Sequence, residues 1–439
     1  MDMDIQTLED LKEKDAQGDA EAQYQLGMYS ESRRDYRAAR EYYKKAAKKG
    51  NHKAETRLGI LFHEGYGTNI NDEIALYWFK RAANAKSPDP LGEYYMGLLC
   101  ETGVEAMPDG KNIGKYDEND IERMAESGGF AEREEILKPD GNEAVKWYQK
   151  AAEGGCGEAM ERLGELYCHG MYVDKDPGRA LELFEKAADM GMKESAYMAA
   201  LMLDAGEGCQ RDEAKALERL RQAAEMDHRK AQTAYGQKLA VAGQYADALR
   251  WFEKAAEYDT AAKRELGDLY LNGHGVKKDE AKAFEYFRSA AEDKYAPDPI
   301  AQLKLGMLCY LGIGCEQDSA KAGKLIMDSF VGGVGITAAQ GIDDDIRDIY
   351  GVMCEHGFGV EKQPEKAYKY YSAAGGGGNV NALYNAGRCF YYGIGKEKNN
   401  SIAKNWLTSA AEKGHAEAKK LLDKILFEEE YAKKNREKD

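Results

Sequence analysis

Two pairs of side chains come nearest to chemistry in this sequence: Cys168-His169 and Cys354-x-His356. A thiolate beside an imidazole suits zinc, but a structural zinc takes four ligands and each pair offers two. The pairs are far apart in the chain, so each reads better as a buried thiol beside a loop histidine. Gly332-Gly333-Val334-Gly335 has the glycines of a dinucleotide loop but follows a helical stretch instead of a strand. Asp117-x-Asn119 opens like a calcium loop, then lacks the central glycine and the distal glutamate. There is no phosphate-cradling G-x4-GK-[ST], no G-x-S-x-G and no HExxH. Trp78, Trp147, Trp251 and Trp406 share one helical slot and read as core. The expectation is a protein with no catalytic residue, no metal and no cofactor.

Composition narrows the class further. At 439 residues the chain is too long for one ordinary core, and 43% apolar with 32% charged residues is a folded composition. No run of about 18 apolar residues could span a membrane. Met1-Asp2-Met3-Asp4 is acidic with no apolar stretch behind it, unlike an ordinary secretory signal. The eight cysteines (Cys100, Cys156, Cys168, Cys209, Cys309, Cys315, Cys354 and Cys389) form no CxxC and no pair recurring once per repeat. They read as free thiols, most of them buried, which favours a cytoplasmic setting. A net charge of −16 argues against nucleic acid and biases the surface toward basic partners.

The elements that position all these residues come from internal repetition. The clearest copy runs Ala262, Leu266-Gly267, Tyr270, Gly273-x-Gly275-Val276, Ala281, Ala283, Tyr286-Phe287, Ala290-Ala291. Another starts at Ala54, and others at Ala22, Gly92, Ala159, Ser195, Ala231, Ala301, Ile346 and Ala382. Apolar residues at positions 1, 5, 6 and 9 of each copy make one face of a first helix. Gly-x-Gly turns the chain, and a second helix carries alanine, an aromatic pair and Ala-Ala on its stripe. Neither helix can bury its face alone, so stacked copies share a core. These residues resemble the Sel-one-like repeat family, a relative of the tetratricopeptide repeat, from about Ala22 to His415. The resemblance implies an all-α, right-handed solenoid of about ten antiparallel helix pairs, acting as a protein-binding adaptor or scaffold.

The departures from the pattern mark boundaries. Copies one (Ser30 to Arg37) and six (Val241 to Tyr245) lack the Gly-x-Gly loop, and Pro-Asp-Pro precedes copies three and eight. Shared oddities at regular offsets suggest a five-repeat block that was duplicated. The expected division is a capping helix in 1–21, repeats in 22–230 and 231–415, and a capping helix with a charged tail in 416–439. Insertions fall at 104–142, where Glu118 to Ala125 could form a short helix, and at 331–345, around the Gly-rich Gly332 to Gly341.

A partner would meet the first helices, at positions 3, 7 and 10, opposite the buried stripe. Those positions hold Tyr24 and Met28, Thr56 and Ile60, Tyr94 and Leu98 early in the chain. Late in the chain they hold Leu303, Met307 and Tyr310, then Asp348 and Glu355, then Tyr384, Arg388 and Tyr391. Tyrosine, methionine and arginine are residues that interface cores favour. The expectation is a protein or peptide partner on the concave face, at Tyr24, Met28, Tyr94, Leu98, Met307, Tyr310, Tyr384, Arg388 and Tyr391, with no nucleic acid, no membrane span and a monomer favoured over an oligomer. The alternatives are an enzyme or metal-binding protein using the insertions, or a self-assembling regulatory subunit.

Overall fold

Each copy folds as a helix pair because the sequence supplies a start and a stop for both helices. Asp or Asn begins most of them, as when Asn51 Oδ1 accepts from the Ala54 amide at 3.0 Å and Asp279 from Lys282 at 2.9 Å. Such a cap is worth about 1 kcal/mol. The first glycine of the loop ends the first helix: Gly273 sits at φ 72°, its amide donating to Leu269 O, a conformation other residues adopt at a cost. The second glycine is a matter of space. A Cβ on Gly275 would lie 2.8 Å from Tyr245 Cβ, at the start of the preceding repeat's second helix.

The computed structural model describes residues 5–104, 137–331 and 344–436, and its contacts divide the chain into two compact units, Met1–His228 and Arg229–Asp439. The first unit contains α1 (Ile5–Ala16), α2 (Ala20–Ser32), α3 (Tyr36–Ala47), α4 (His52–Glu64), α5 (Asp72–Ala83) and α6 (Pro90–Thr102). It continues with α7 (Gly141–Glu153), α8 (Gly157–His169), α9 (Pro177–Asp189), α10 (Lys193–Ala205) and α11 (Glu213–Glu225). In the second unit are α12 (Arg229–Val241), α13 (Tyr245–Ala255), α14 (Thr260–Asn272), α15 (Glu280–Ala291), α16 (Pro299–Leu311) and α17 (Ser319–Val331). Then come α18 (Asp344–His356), α19 (Pro364–Gly376), α20 (Val380–Tyr392), α21 (Asn400–Glu412) and α22 (Ala416–Arg436). The described residues form helices and their connections, with no strand, so the fold is an all-α repeat stack. The expected short helix at Glu118 to Ala125 and the Gly-rich Gly332 to Gly341 lie outside the described residues.

Within a pair, one contact sets the distance. The glycine at position 6 faces a large residue of the second helix: a Cβ on Gly164 would lie 2.7 Å from the Phe184 ring, and one on Gly351 2.6 Å from Tyr371. Phe79, Phe184, Phe252 and Phe287 are fully buried in this slot, and so are Tyr43, Tyr148 and Tyr371. Burying such a ring is worth roughly 2–3 kcal/mol, which outweighs the ~1 kcal/mol that glycine costs mid-helix. In the fifth copy position 6 is Ala200, and the corresponding residue of α11 is the smaller Leu220.

That slot corrects one expectation. The tryptophans precede it by one residue, so only Trp78 is buried, while Trp147, Trp251 and Trp406 are half-buried at the edge of the core clusters. The two units also repeat each other's details. Tyr36 stacks on Tyr66 with centroids 5.0 Å apart in the first, and Tyr245 stacks on His274 at 4.5 Å in the second.

Candidate partner-binding face

The first helices carry the candidate face. Tyr24, Met28, Tyr94, Leu98, Met307, Tyr310, Tyr384, Arg388 and Tyr391 are all half-buried, neither core nor free. All but Leu98 have a described contact with a neighbouring helix. Tyr24 and Met28 lie against the cluster around Tyr43, with the Tyr24 and Tyr43 rings 6.0 Å apart. Tyr94 lies 5.7 Å from the Tyr148 ring. In the second unit Met307 and Tyr310 pack on one cluster, while Tyr384 and Tyr391 pack on another. Tyr384 stacks on His415 at 4.6 Å, and the Tyr391 hydroxyl donates to Glu428 at 3.0 Å. The rings are therefore anchored from behind with part of each surface open, an arrangement that loses little side-chain entropy on binding.

Several residues at the same positions are not available. Thr56, Ile60, Leu303, Asp348 and Glu355 are buried. The reason is the closeness of successive first helices. Position 1 of the third copy is Gly92, and a Cβ there would lie 2.8 Å from Thr56 Oγ1, so α6 closes over Thr56. Asp348 accepts from the Asn385 side chain at 2.9 Å. Burial pushes its carboxyl up to about 6; Asp345 adds to that, while the Asn385 bond and Arg388 pull the other way.

Position 10 holds a feature that the sequence reading missed. In three copies the second-helix residue in the slot is tyrosine, and in those same three, position 10 is glutamate. The Tyr43 hydroxyl donates to Glu31 at 2.5 Å, Tyr148 to Glu101 at 2.8 Å and Tyr371 to Glu355 at 2.8 Å. An arginine from the next repeat's first helix completes each site. Arg57 lies 3.5 Å from Glu31, Arg162 Nε donates to Glu101 at 3.1 Å, and Arg388 grips Glu355 with two bonds of 2.9 and 2.6 Å. Burial raises the Glu101 carboxyl, but hydrogen bonds from Arg162 and Tyr148 outweigh it and hold the group below its ordinary range. Burial, reinforced by Glu355, pushes the Tyr371 hydroxyl well up, so it stays a donor. Arg388 is thus a clamp between α18 and α20 more than an open contact. The pairing of tyrosine with glutamate across copies was a signal available in the sequence.

Among the described residues no group of three or more His, Cys, Asp or Glu side chains is placed to hold a metal ion. Cys168 lies 3.8 Å from the Met202 sulfur, and His356 stacks on Phe358 at 5.2 Å. No described helix is long and apolar enough to cross a membrane.

Comparison with known proteins places this geometry. The model of the Sel1 repeat matches ten times, over residues 20–51, 52–87, 131–156, 157–192, 193–228, 234–257, 260–295, 299–325, 349–379 and 380–415. A putative sel1-like repeat-containing protein, L21, of Acanthamoeba polyphaga mimivirus is 32% identical over 145 residues, which is 30% of this chain and 24% of that protein. The ERAD-associated E3 ubiquitin-protein ligase component HRD3B of Arabidopsis thaliana is 41% identical over 75 residues, 17% of this chain and 11% of that one. This chain therefore spans only a minor part of these two relatives. Among solved structures, c5321, a protective antigen of uropathogenic Escherichia coli with an SLR fold, aligns over 96% of this chain and 90% of its own. Its TM-score is 0.63 at 24% identity, a likeness of fold.

Proposed function

The chain belongs to the Sel1 repeat family, and from that premise we propose that it is a non-enzymatic scaffold binding a protein or peptide on the first-helix faces of its repeats. Proteins of this family generally serve as interaction scaffolds. The observation that carries the reading is the set of half-buried Tyr and Met side chains on the first helices of repeats one and three in the first unit and of repeats eight and ten in the second, packed from behind and open on one side. Large, pre-positioned amphipathic side chains are what binding hot spots use. The polar bonds between successive first helices, such as Lys304 to Asp268 at 2.6 Å, stiffen the same face. A relative that is named as a component of a ubiquitin ligase adds the expectation that the partner belongs to an assembly.

A second reading, self-association, has one observation in its favour. On α22 the side chains of Leu426, Phe427 and Tyr431 are exposed, with the last two rings 6.4 Å apart.

The test is affinity purification from the source cell with the wild-type chain and with the double variant Tyr310→Ala, Tyr384→Ala. Arg388 is left intact because it holds Glu355. A partner lost from the variant, with the thermal transition of the chain retained, supports the scaffold. The same proteins recovered by both baits contradict the first-helix face, and recovery of an untagged second copy favours self-association.

A further inference from the structure

Repeat eight places two thiols together. Cys309 is in the last turn of α16, buried at 1% exposure, and Cys315 lies half-buried in the loop that follows. The loop is laced back onto the helix end. Ile313 N donates to Leu308 O at 3.0 Å, Asp318 N to Cys309 O at 2.8 Å, and Gln317 Nε2 to Tyr310 O at 2.8 Å. Gly312 and Gly314, at φ 70° and 71°, permit the reversal. As a result Cys315 Sγ sits 3.7 Å from the carbonyl of Leu308, the residue before Cys309, and packs on the cluster that contains Cys309. Other cysteines have other neighbours: Cys156 donates to Glu158, Cys168 faces Met202 and Cys354 interacts with Tyr350.

From this packing we propose that Cys309 and Cys315 form a reversible thiol–disulfide site, oxidised by small disulfides of the glutathione type. Cys315, which solvent reaches, loses its proton to water and attacks one sulfur of the small disulfide. The old S–S bond breaks, one small thiolate leaves and takes up a proton, and a mixed disulfide forms on Cys315. Cys309 then gives up its proton and attacks the Cys315 sulfur, expelling the second small thiolate. Two protein thiols are oxidised and one small disulfide is reduced to two thiols, so electrons and protons balance. Burial and the neighbouring Cys315 push the Cys309 thiol up to about 11, so little of it is thiolate near neutral pH and the second step is the slower one. Closing the bond would pin the loop to the turn of α16 that carries Met307 and Tyr310.

The experiment treats the folded full-length chain with oxidised glutathione, alkylates the remaining thiols under denaturing conditions and counts the labels by mass. Six alkylated cysteines of the eight are expected. The tryptic peptide between Lys304 and Lys321 should be lighter by two hydrogen atoms, and dithiothreitol should restore both thiols. In Cys315→Ser, seven cysteines should label under the same treatment. Eight labelled cysteines in the wild type, a stable glutathione adduct on Cys315, or a bridge between other cysteines would each overturn the proposal. A parallel thermal scan, unchanged by Cys315→Ser, keeps the variant interpretable.

Discussion

In the second repeat Phe79 closes over Gly59 and position 10 is His63; in the ninth, Tyr371 closes over Gly351 and position 10 is Glu355. The steric half of the two arrangements is the same, a ring pressed where a Cβ would be. The polar half differs. His63 is half-buried and pairs with the more exposed Asp72 of its own repeat at 2.6 Å. Glu355 is buried, takes the Tyr371 hydroxyl and ties its repeat to Arg388 of the next. The lesson is that the helix pair is made by shape, while some junctions between repeats are made by buried charge. Only the second kind is sensitive to loss of a single carboxylate.

Removing that carboxylate should have the larger effect. Glu355→Ala leaves Arg388 and the Tyr371 hydroxyl without their acceptor and should cost about 3 kcal/mol, at the low end for a broken buried pair because Arg388 keeps some contact with water. His63→Ala in the second repeat should cost about 1 kcal/mol, the upper end for an ion pair that water still reaches, as it reaches Asp72. Urea denaturation of both variants checks this, and equal losses would erase the distinction. The steric half predicts a smaller effect that is the same in both places. Gly59→Ala and Gly351→Ala should each lose about 1–2 kcal/mol through overpacking, although alanine alone would add ~1 kcal/mol of helix propensity. A gain in stability at either site would mean that the ring has room to move aside.

Much of this was legible in the residues. The recurrence of Leu-Gly, Gly-x-Gly and Ala-Ala marks the helix pairs, since each answers a local steric demand that reads the same in every copy. The buried charges were harder to see because the three partners come from two repeats and three helices. Tyr148, Glu101 and Arg162 look unremarkable singly. Position 3 misled for a related reason. Its burial depends on how near the next first helix comes, which Gly92 decides for Thr56 from 36 residues away. The sequence also drew the tryptophans into the core one residue early, because the aromatic pair offers two candidates and only the second faces the glycine.

The claim that the first helices carry the partner is tested most directly by hydrogen exchange on the chain, alone and bound to the partner recovered by the wild-type bait. The account expects slowed exchange in Pro299–Leu311 and Val380–Tyr392, around Met307, Tyr310 and Tyr384, with the second helices Glu280–Ala291 and Asn400–Glu412 unchanged. Protection confined to those second helices, with the first helices unaffected, would contradict it.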